Sequence, residues 1–129
     1  MRNFRSYTIL NAKAATGAGN SILVEDFRHI VLALDTATSA NLTIKVQGSI
    51  YEDAPNFGAA QTAANQWDYI AIKDLEDGAA IEGDTGVAMS GSDDHRMFEV
   101  NVNGLKWLTV NVTARSAGSV TVIARLFND

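Results

Sequence analysis

The sequence has no cysteine and a single proline, Pro55, among its 129 residues. The lack of cysteine excludes disulfide bonds, thiolate metal sites and thiol nucleophiles. No segment approaches the roughly 18 apolar residues of a membrane-spanning helix, so we expect no membrane partner. The N-terminal sequence MRNFRSYTIL lacks the apolar run and small-residue cleavage site of a signal peptide, so synthesis in a cytoplasm is expected.

Basic residues are scarce relative to acidic ones. Lysine and arginine together number 10, aspartate and glutamate 15, and the formal net charge is -5. Because binding to phosphates favours a basic surface, we expect no nucleic-acid partner. Apolar residues make up 47% and charged residues 19%, which is typical of a globular chain, and the length fits one domain over residues 1–129.

Apolar and polar residues alternate with the period of two that is typical of β-strands. In the last third of the chain, this alternation predicts strands over 95–103, 106–115 and 120–127. Asn103-Gly104 is a strong hairpin signal, because both residues tolerate positive φ. With a second turn over 116–119, the pattern predicts a three-stranded antiparallel meander.

The first two thirds of the chain follow the same pattern. The strands predicted there cover 6–14, 27–35, 41–51 and 67–75. The connections predicted between and after them cover 15–20, 36–40, 52–66 and 76–94, with a short strand near Val87–Met89. Seven or eight strands separated by turn signals indicate an all-β protein, a single-domain antiparallel β-sandwich or jelly roll.

One triplet is shared with aspartic proteases, whose catalytic loop begins Asp-Thr-Gly. Here Asp84-Thr85-Gly86 is followed by Val87, where a smaller residue is expected, and the chemistry needs a second aspartate sharing a proton. We therefore interpret the triplet as a turn in which Asp84 caps a loop N–H. The chain also lacks a G-x-S-x-G elbow, and the glycine-rich run 15–21 lacks the lysine of a P-loop, so we expect no enzyme.

Acidic residues are concentrated between residues 74 and 95. Oxygen-rich loops can hold Ca²⁺, but the D-x-[DN]-x-[DN]-G spacing is absent. Asp93-Asp94-His95 forms a corner that suits a transition metal, while the other histidine, His29, is distant in sequence. We predict a solvated acidic loop without a cofactor and leave a bound divalent ion as the alternative hypothesis.

Large apolar side chains recur on the strand faces that the alternation places outside the core. Trp67 and Tyr69 share one such face, Trp107 lies on another, and Ile123 and Phe127 lie on a third. A band of this kind often marks a protein interface. A sugar-binding platform is an alternative use of the aromatic rings, and a second alternative is that the rings lie beneath the long loops.

Three segments carry a resemblance to a known group of proteins. They are FRHIVLALDTATSANLTIKVQGSI (27–50), NQWDYIAIKDLEDGAAIEGDTGV (65–87) and FEVNVNGLKWLTVNVTARSAGSVTV (98–122). In their short strands, small-residue turns and N-G-L-x-W-L segment, they resemble small β-sandwich structural proteins of tailed bacteriophage virions. The resemblance extends from about Ser6 to Phe127, and some members of the group decorate or cement the head.

The resemblance implies a non-enzymatic virion component made in the host cytoplasm. A cement protein of this type binds the major capsid protein or other virion subunits at their junctions and resists the pressure of packaged DNA. A homo-oligomer, with a trimer favoured, would suit such positions. An N-terminal arm, residues 1–5 with Arg2 and Arg5, would reach a neighbouring subunit. The alternatives are a tail or neck subunit and an adhesin-like module that binds glycans through the predicted aromatic band.

Overall fold

The computed structural model describes residues 4–91 and 94–128. These residues form short and long β-strands and one 3₁₀ helix, Ala63–Asn65. The strands are β1 (Phe4–Lys13), β2 (Gly17–Ala18), β3 (Ile22–Leu23), β4 (His29–Ser49), β5 (Asp68–Tyr69), β6 (Ile72–Asp74), β7 (Ala80–Ile81), β8 (Val87–Ser90), β9 (His95–Asn101) and β10 (Trp107–Phe127). Within the described ranges, no helix has the length and apolar character needed to cross a membrane.

Two strands of 21 residues each, β4 and β10, organise the whole sheet. They pair antiparallel from Trp107 opposite Ser49 to Phe127 opposite His29, with bulges near the middle. The turns predicted over 36–40 and 116–119 are bends within these continuous strands. Backbone angles mark the bends, because Thr38 and Gly118 have φ values of 64° and 75°. Each long strand thus contributes one half to each layer of the sandwich.

The two layers differ in the strands that flank β4 and β10. In the first layer, residues 29–35 and 120–127 lie between β1 on one side and β9, β6 and β7 on the other. In the second layer, residues 41–49 and 107–115 pair with β2, β3, β5 and β8. Inward side chains of both layers belong to one hydrophobic core, with Leu32 and Phe98 from the first and Ile44 from the second fully buried. The predicted all-β antiparallel sandwich is confirmed.

The predicted meander is wrong. Strand β9 pairs with β4 and β6, and β10 continues through residues 116–119 without reversing. Asn103-Gly104 does form a turn, closed by a 2.9 Å hydrogen bond from the Leu105 N–H to the Val102 carbonyl. Only Gly104 of that pair has positive φ, 86°, so the turn is not type I′. The chain passes through this turn from the first layer into the second. Alternation shows which face of a strand is buried, but it does not identify the neighbouring strand.

Several connections contain short strands of their own. Strand β8 pairs with residues 41–44 of β4 and confirms the strand predicted near Val87–Met89. The predicted loop 15–20 contains β2, which pairs with β10. The predicted strand 67–75 is divided, because β5 pairs with Gln47 and Gly48 in the second layer while β6 pairs with β9 in the first.

Candidate interaction surface

The outward side of the first layer carries an aligned row of mainly apolar residues. Strand pairing places Thr8 opposite Ile123, Ile123 opposite Ala33, and Ala33 opposite Met97. Paired residues in a sheet project to the same side, and their neighbours along each strand project to the other side. Because Leu32 and Phe98 point into the core, these four residues face outward. We call them the outer row.

Much of the apolar surface in the outer row is exposed. Ile123 keeps 44% of its surface exposed and Met97 keeps 46%. Leu75 extends the row, because its N–H donates a 3.1 Å hydrogen bond to the Met97 carbonyl and its side chain is 41% exposed. Three large apolar side chains exposed in one line make this surface a candidate for binding another macromolecule.

Two further rows lie successively on one side of the outer row and add aromatic and charged groups. The aromatic groups interact closely: the Arg125 guanidinium lies 4.3 Å from the Phe4 ring centre, and the His29 and Phe127 rings stack at 5.3 Å. Both signs of charge are present at the border. The bordering rows are Ser6–Arg125–Val31–Glu99–Lys73 and Phe4–Phe127–His29–Asn101. The three rows together with Leu75 form what we call the outer face.

The outward side of the second layer is covered by the chain itself. Gln47 is fully buried although it points away from the core, and its Nε2 donates a 3.0 Å hydrogen bond to the Phe57 carbonyl. Trp67 lies in the same cover, with its ring centre 6.4 Å from that of Phe57 and 4.9 Å from that of Tyr69. Nearby, the Thr109 hydroxyl donates a 3.0 Å hydrogen bond to the carbonyl of Asn20. The loop 50–67 thus leaves the outer face as the more open of the two sheet surfaces.

The predicted interface residues are divided between the two layers. Ile123 and Phe127 lie on the outer face. Trp67 is buried, with 8% of its surface exposed, so its ring lies beneath the loop. Tyr69 and Trp107 are half-buried in the second layer, where the Trp107 Nε1 donates a 3.1 Å hydrogen bond to the Tyr51 carbonyl.

The predicted N-terminal arm is part of the sheet where the structure describes it. Phe4 and Arg5 belong to β1 and pair with Phe127 and Leu126, and both side chains are exposed. Arg2 lies outside the described residues. Met97 and Leu75 were not among the predicted interface residues, although the alternation of 95–103 already placed Met97 opposite Phe98.

The Asp84-Thr85-Gly86 segment forms a turn, as predicted. The N–H groups of Thr85 and Gly86 each donate a 3.1 Å hydrogen bond to the Glu82 carbonyl. The Asp84 carboxylate, 74% exposed, lies 3.5 Å from Lys45 Nζ, whereas a loop N–H was predicted as its partner. The triplet therefore joins its loop to β4 through an exposed ion pair.

The acidic residues of the segment 74–95 and the two histidines are dispersed over the molecule. The described residues contain no cluster of three or more side chains able to hold a metal ion. His95 Nδ1 contacts the Asp35 carboxylate, while His29 stacks on Phe127. Since His29 and Asp35 are six residues apart on β4, the two histidines are separated by roughly 20 Å. Asp93 of the predicted corner lies outside the described residues.

Asp74 is a buried carboxylate that fixes the acidic loop to the first layer. Its Oδ1 accepts a 2.9 Å hydrogen bond from the Glu76 N–H, and its Oδ2 accepts one of 2.6 Å from Arg96. The Glu76 N–H, together with the Arg96 guanidinium, lowers the pKa of Asp74 below its ordinary value, although burial opposes this.

We expect acid to weaken this link. A carboxyl group whose pKa is lowered on folding contributes stability above its unfolded pKa and loses it as pH falls through the folded value. The Asp74→Asn variant should therefore have a lower urea midpoint than the wild type at pH 7, and the difference should shrink towards pH 2. Asp84→Asn, which alters an exposed ion pair, should show little change at either pH. If the urea midpoint of Asp74→Asn differs from that of the wild type by the same amount at pH 7 and near pH 2, the stabilising role assigned to the Asp74 carboxylate is wrong.

The fold is shared with two proteins of known structure, although no protein-family model matches the chain and no curated protein matches its sequence. The crystal structure of the SPBc2 prophage-derived protein YomS superposes with a TM-score of 0.73 at 14% identity, covering 98% of this chain and 95% of YomS. The PBSX exported protein XepA superposes with a TM-score of 0.74 at 11% identity. This superposition covers 98% of this chain but only 38% of XepA, so the chain spans well under half the length of XepA. At these identities the likeness establishes the fold.

Proposed function

We propose that this protein is a structural component of a phage virion and that it decorates the outer surface of the head. The observation that carries the proposal is the open outer face, with Ile123 and Met97 exposed at its centre. The fold supports it, since the SPBc2 prophage-derived protein YomS shares the fold over nearly the whole of both chains. The chain acts by binding and not by catalysis in this proposal.

The chemistry of the outer face suits contact with virion subunits such as the major capsid protein. Burying the apolar row removes Ile123, Met97 and Leu75 from water, which provides the driving force. Arg125, Glu99 and Lys73 lie in one row and give the border both signs of charge, which sets the orientation of a partner more than the affinity. A face of this composition binds a folded protein surface better than it binds nucleic acid.

Assembly into a homo-oligomer, with a trimer favoured, would strengthen this binding. A trimer placed over a local three-fold position presents three outer faces to equivalent subunits. Once one face is bound, the others bind at high effective concentration, so a modest affinity per copy is sufficient. The added contacts would link neighbouring head subunits and oppose the outward pressure of packaged DNA. The protein would then reside in the virion after synthesis in the host cytoplasm.

The test is to measure solution mass and head binding together. Light scattering of the purified protein should give the mass of a trimer. Sedimentation with empty heads of the phage that encodes it should carry the protein into the pellet at a saturable ratio. Free protein that stays in the supernatant at every head concentration would overturn head decoration. Binding to purified tails in the same assay would instead support the tail or neck alternative.

A further inference from the structure

The covered layer contains an open cavity of about 430 Å³, a volume typical of small-molecule sites. It lies between the end of β4 and the segment that contains the 3₁₀ helix and the start of β5. The outer face belongs to the other layer, so the cavity is separate from the surface proposed for head binding. Its lining is divided into an apolar wall and a polar wall.

The apolar wall is rigid and includes one buried polar atom that lacks a partner. Trp67, Ile70 and Leu105 form this wall, and both aliphatic residues pack against the core. Packing with Phe57 and Tyr69 fixes the Trp67 ring. The Trp67 Nε1 is buried and has no hydrogen-bond partner among the described residues. This nitrogen is inaccessible to solvent, so it offers no hydrogen bond to a molecule in the cavity, and Trp67 contributes apolar ring surface only.

The polar wall presents neutral groups around one oriented carboxylate. Gln61 Nε2 donates to Asp68 Oδ1, which also accepts a 2.8 Å hydrogen bond from the Tyr69 N–H. These two bonds fix the carboxylate and leave Oδ2 to accept from a ligand. Thr62 and Gln66 add a hydroxyl and an amide to this side of the cavity. Gln66 is the C-cap of the 3₁₀ helix, with the left-handed φ of 63° that is common where helices end.

We propose that this cavity binds a pyranose ring of a saccharide. A pyranose has an apolar C–H face, which suits the wall of Trp67, Ile70 and Leu105, and a rim of hydroxyl groups. Those hydroxyls donate to the Asp68 carboxylate and exchange hydrogen bonds with Gln61 and Gln66. A phosphate or sulfate ester would meet the Asp68 charge without a cationic partner in the lining, so the saccharide is neutral. The proposal does not depend on head decoration.

The test measures binding of single sugars to the intact protein. Glucose, galactose, mannose and N-acetylglucosamine are each titrated, with saturation-transfer NMR as the readout. A single ring in an open site should bind with a dissociation constant of about a millimolar. Tryptophan fluorescence of the unmodified protein should change with the same dissociation constant, because Trp67 lines the cavity.

Two neighbouring alanines provide matched variants. Ala63 and Ala64 are both exposed in the 3₁₀ helix, but only Ala63 lines the cavity. Ala63→Trp should fill the cavity and abolish sugar binding, whereas Ala64→Trp should bind as the wild type does. Asp68→Asn should weaken binding about tenfold, because it removes charge from a charge-assisted hydrogen bond. Absence of binding by all four sugars at about ten times the expected dissociation constant, or equal binding by the two alanine variants, would overturn the proposal.

Discussion

Replacing Ile123 and Met97 together by glutamate should abolish binding to phage heads and leave the fold intact. Both side chains are outward and nearly half exposed, so the free protein accommodates the charges in water. The stability of the free protein should therefore change by less than about 1 kcal/mol. In the bound state, however, the two carboxylates would be desolvated without partners, which is expected to weaken binding at least about a hundredfold.

The assay is co-sedimentation with empty heads, accompanied by circular dichroism to verify the fold. The matched control is Leu23→Glu with Ala88→Glu, which adds the same charge at exposed positions of the second layer. This control should bind heads as the wild type does. We expect light scattering to give the same mass for both double variants, since the proposal assigns the outer face to head contact. If the Ile123/Met97 variant binds heads as the wild type does, the outer face is not the surface that contacts the head.

The direction of the side chains could be predicted from the sequence almost throughout the long strands. Alternation groups Leu42, Ile44 and Val46 on one face of the predicted strand 41–51, and Leu108 and Val110 on one face of 106–115, and all five are buried. This success has a simple cause, because a period of two is a local property of an extended chain. It required no knowledge of which strands are neighbours.

Strand pairing could not be predicted from the local sequence pattern. A glycine among small polar residues, such as Gly118, suits a hairpin turn and a bend in a continuous strand equally well. The choice depends on what pairs alongside, and here β4 follows β10 through the bend. The three-stranded meander failed for this reason, although its outer strand boundaries were close to the observed ends of β9 and β10.

Some features of the candidate surface follow from local sequence pattern, and others depend on long-range structure. Ile123 and Phe127 are outward because of alternation alone. Trp67 also alternates outward, but the path of loop 50–67 over the sheet buries it. Met97 gains its significance from strand register, which places it beside Ala33 in line with Ile123. Register and loop path are long-range properties that one sequence does not reveal.

Gly118→Ala should be among the most destabilising single substitutions in this protein. Gly118 lies at the bend with φ of 75°, and a Cβ atom there would lie 2.4 Å from the Ala40 Cα and 2.7 Å from the Ala37 carbonyl oxygen. The left-handed conformation costs about 1–2 kcal/mol for alanine. The clash adds about 1–3 kcal/mol, because backbone has to move to relieve it. A total of about 3 kcal/mol is a large fraction of the roughly 5–15 kcal/mol that stabilises a domain of this kind.

Gly104→Ala separates the two contributions. Gly104 has φ of 86°, and no described atom lies within 4 Å of a Cβ built there. This variant should lose only about 1–2 kcal/mol, the cost of the backbone conformation, when urea unfolding is followed by fluorescence. If Gly118→Ala loses more unfolding free energy than Gly104→Ala, the difference measures the cost of crowding between β4 and β10 at the bend. Equal losses would show that the bend relaxes around a methyl group, and that the layers are spaced by their core side chains instead.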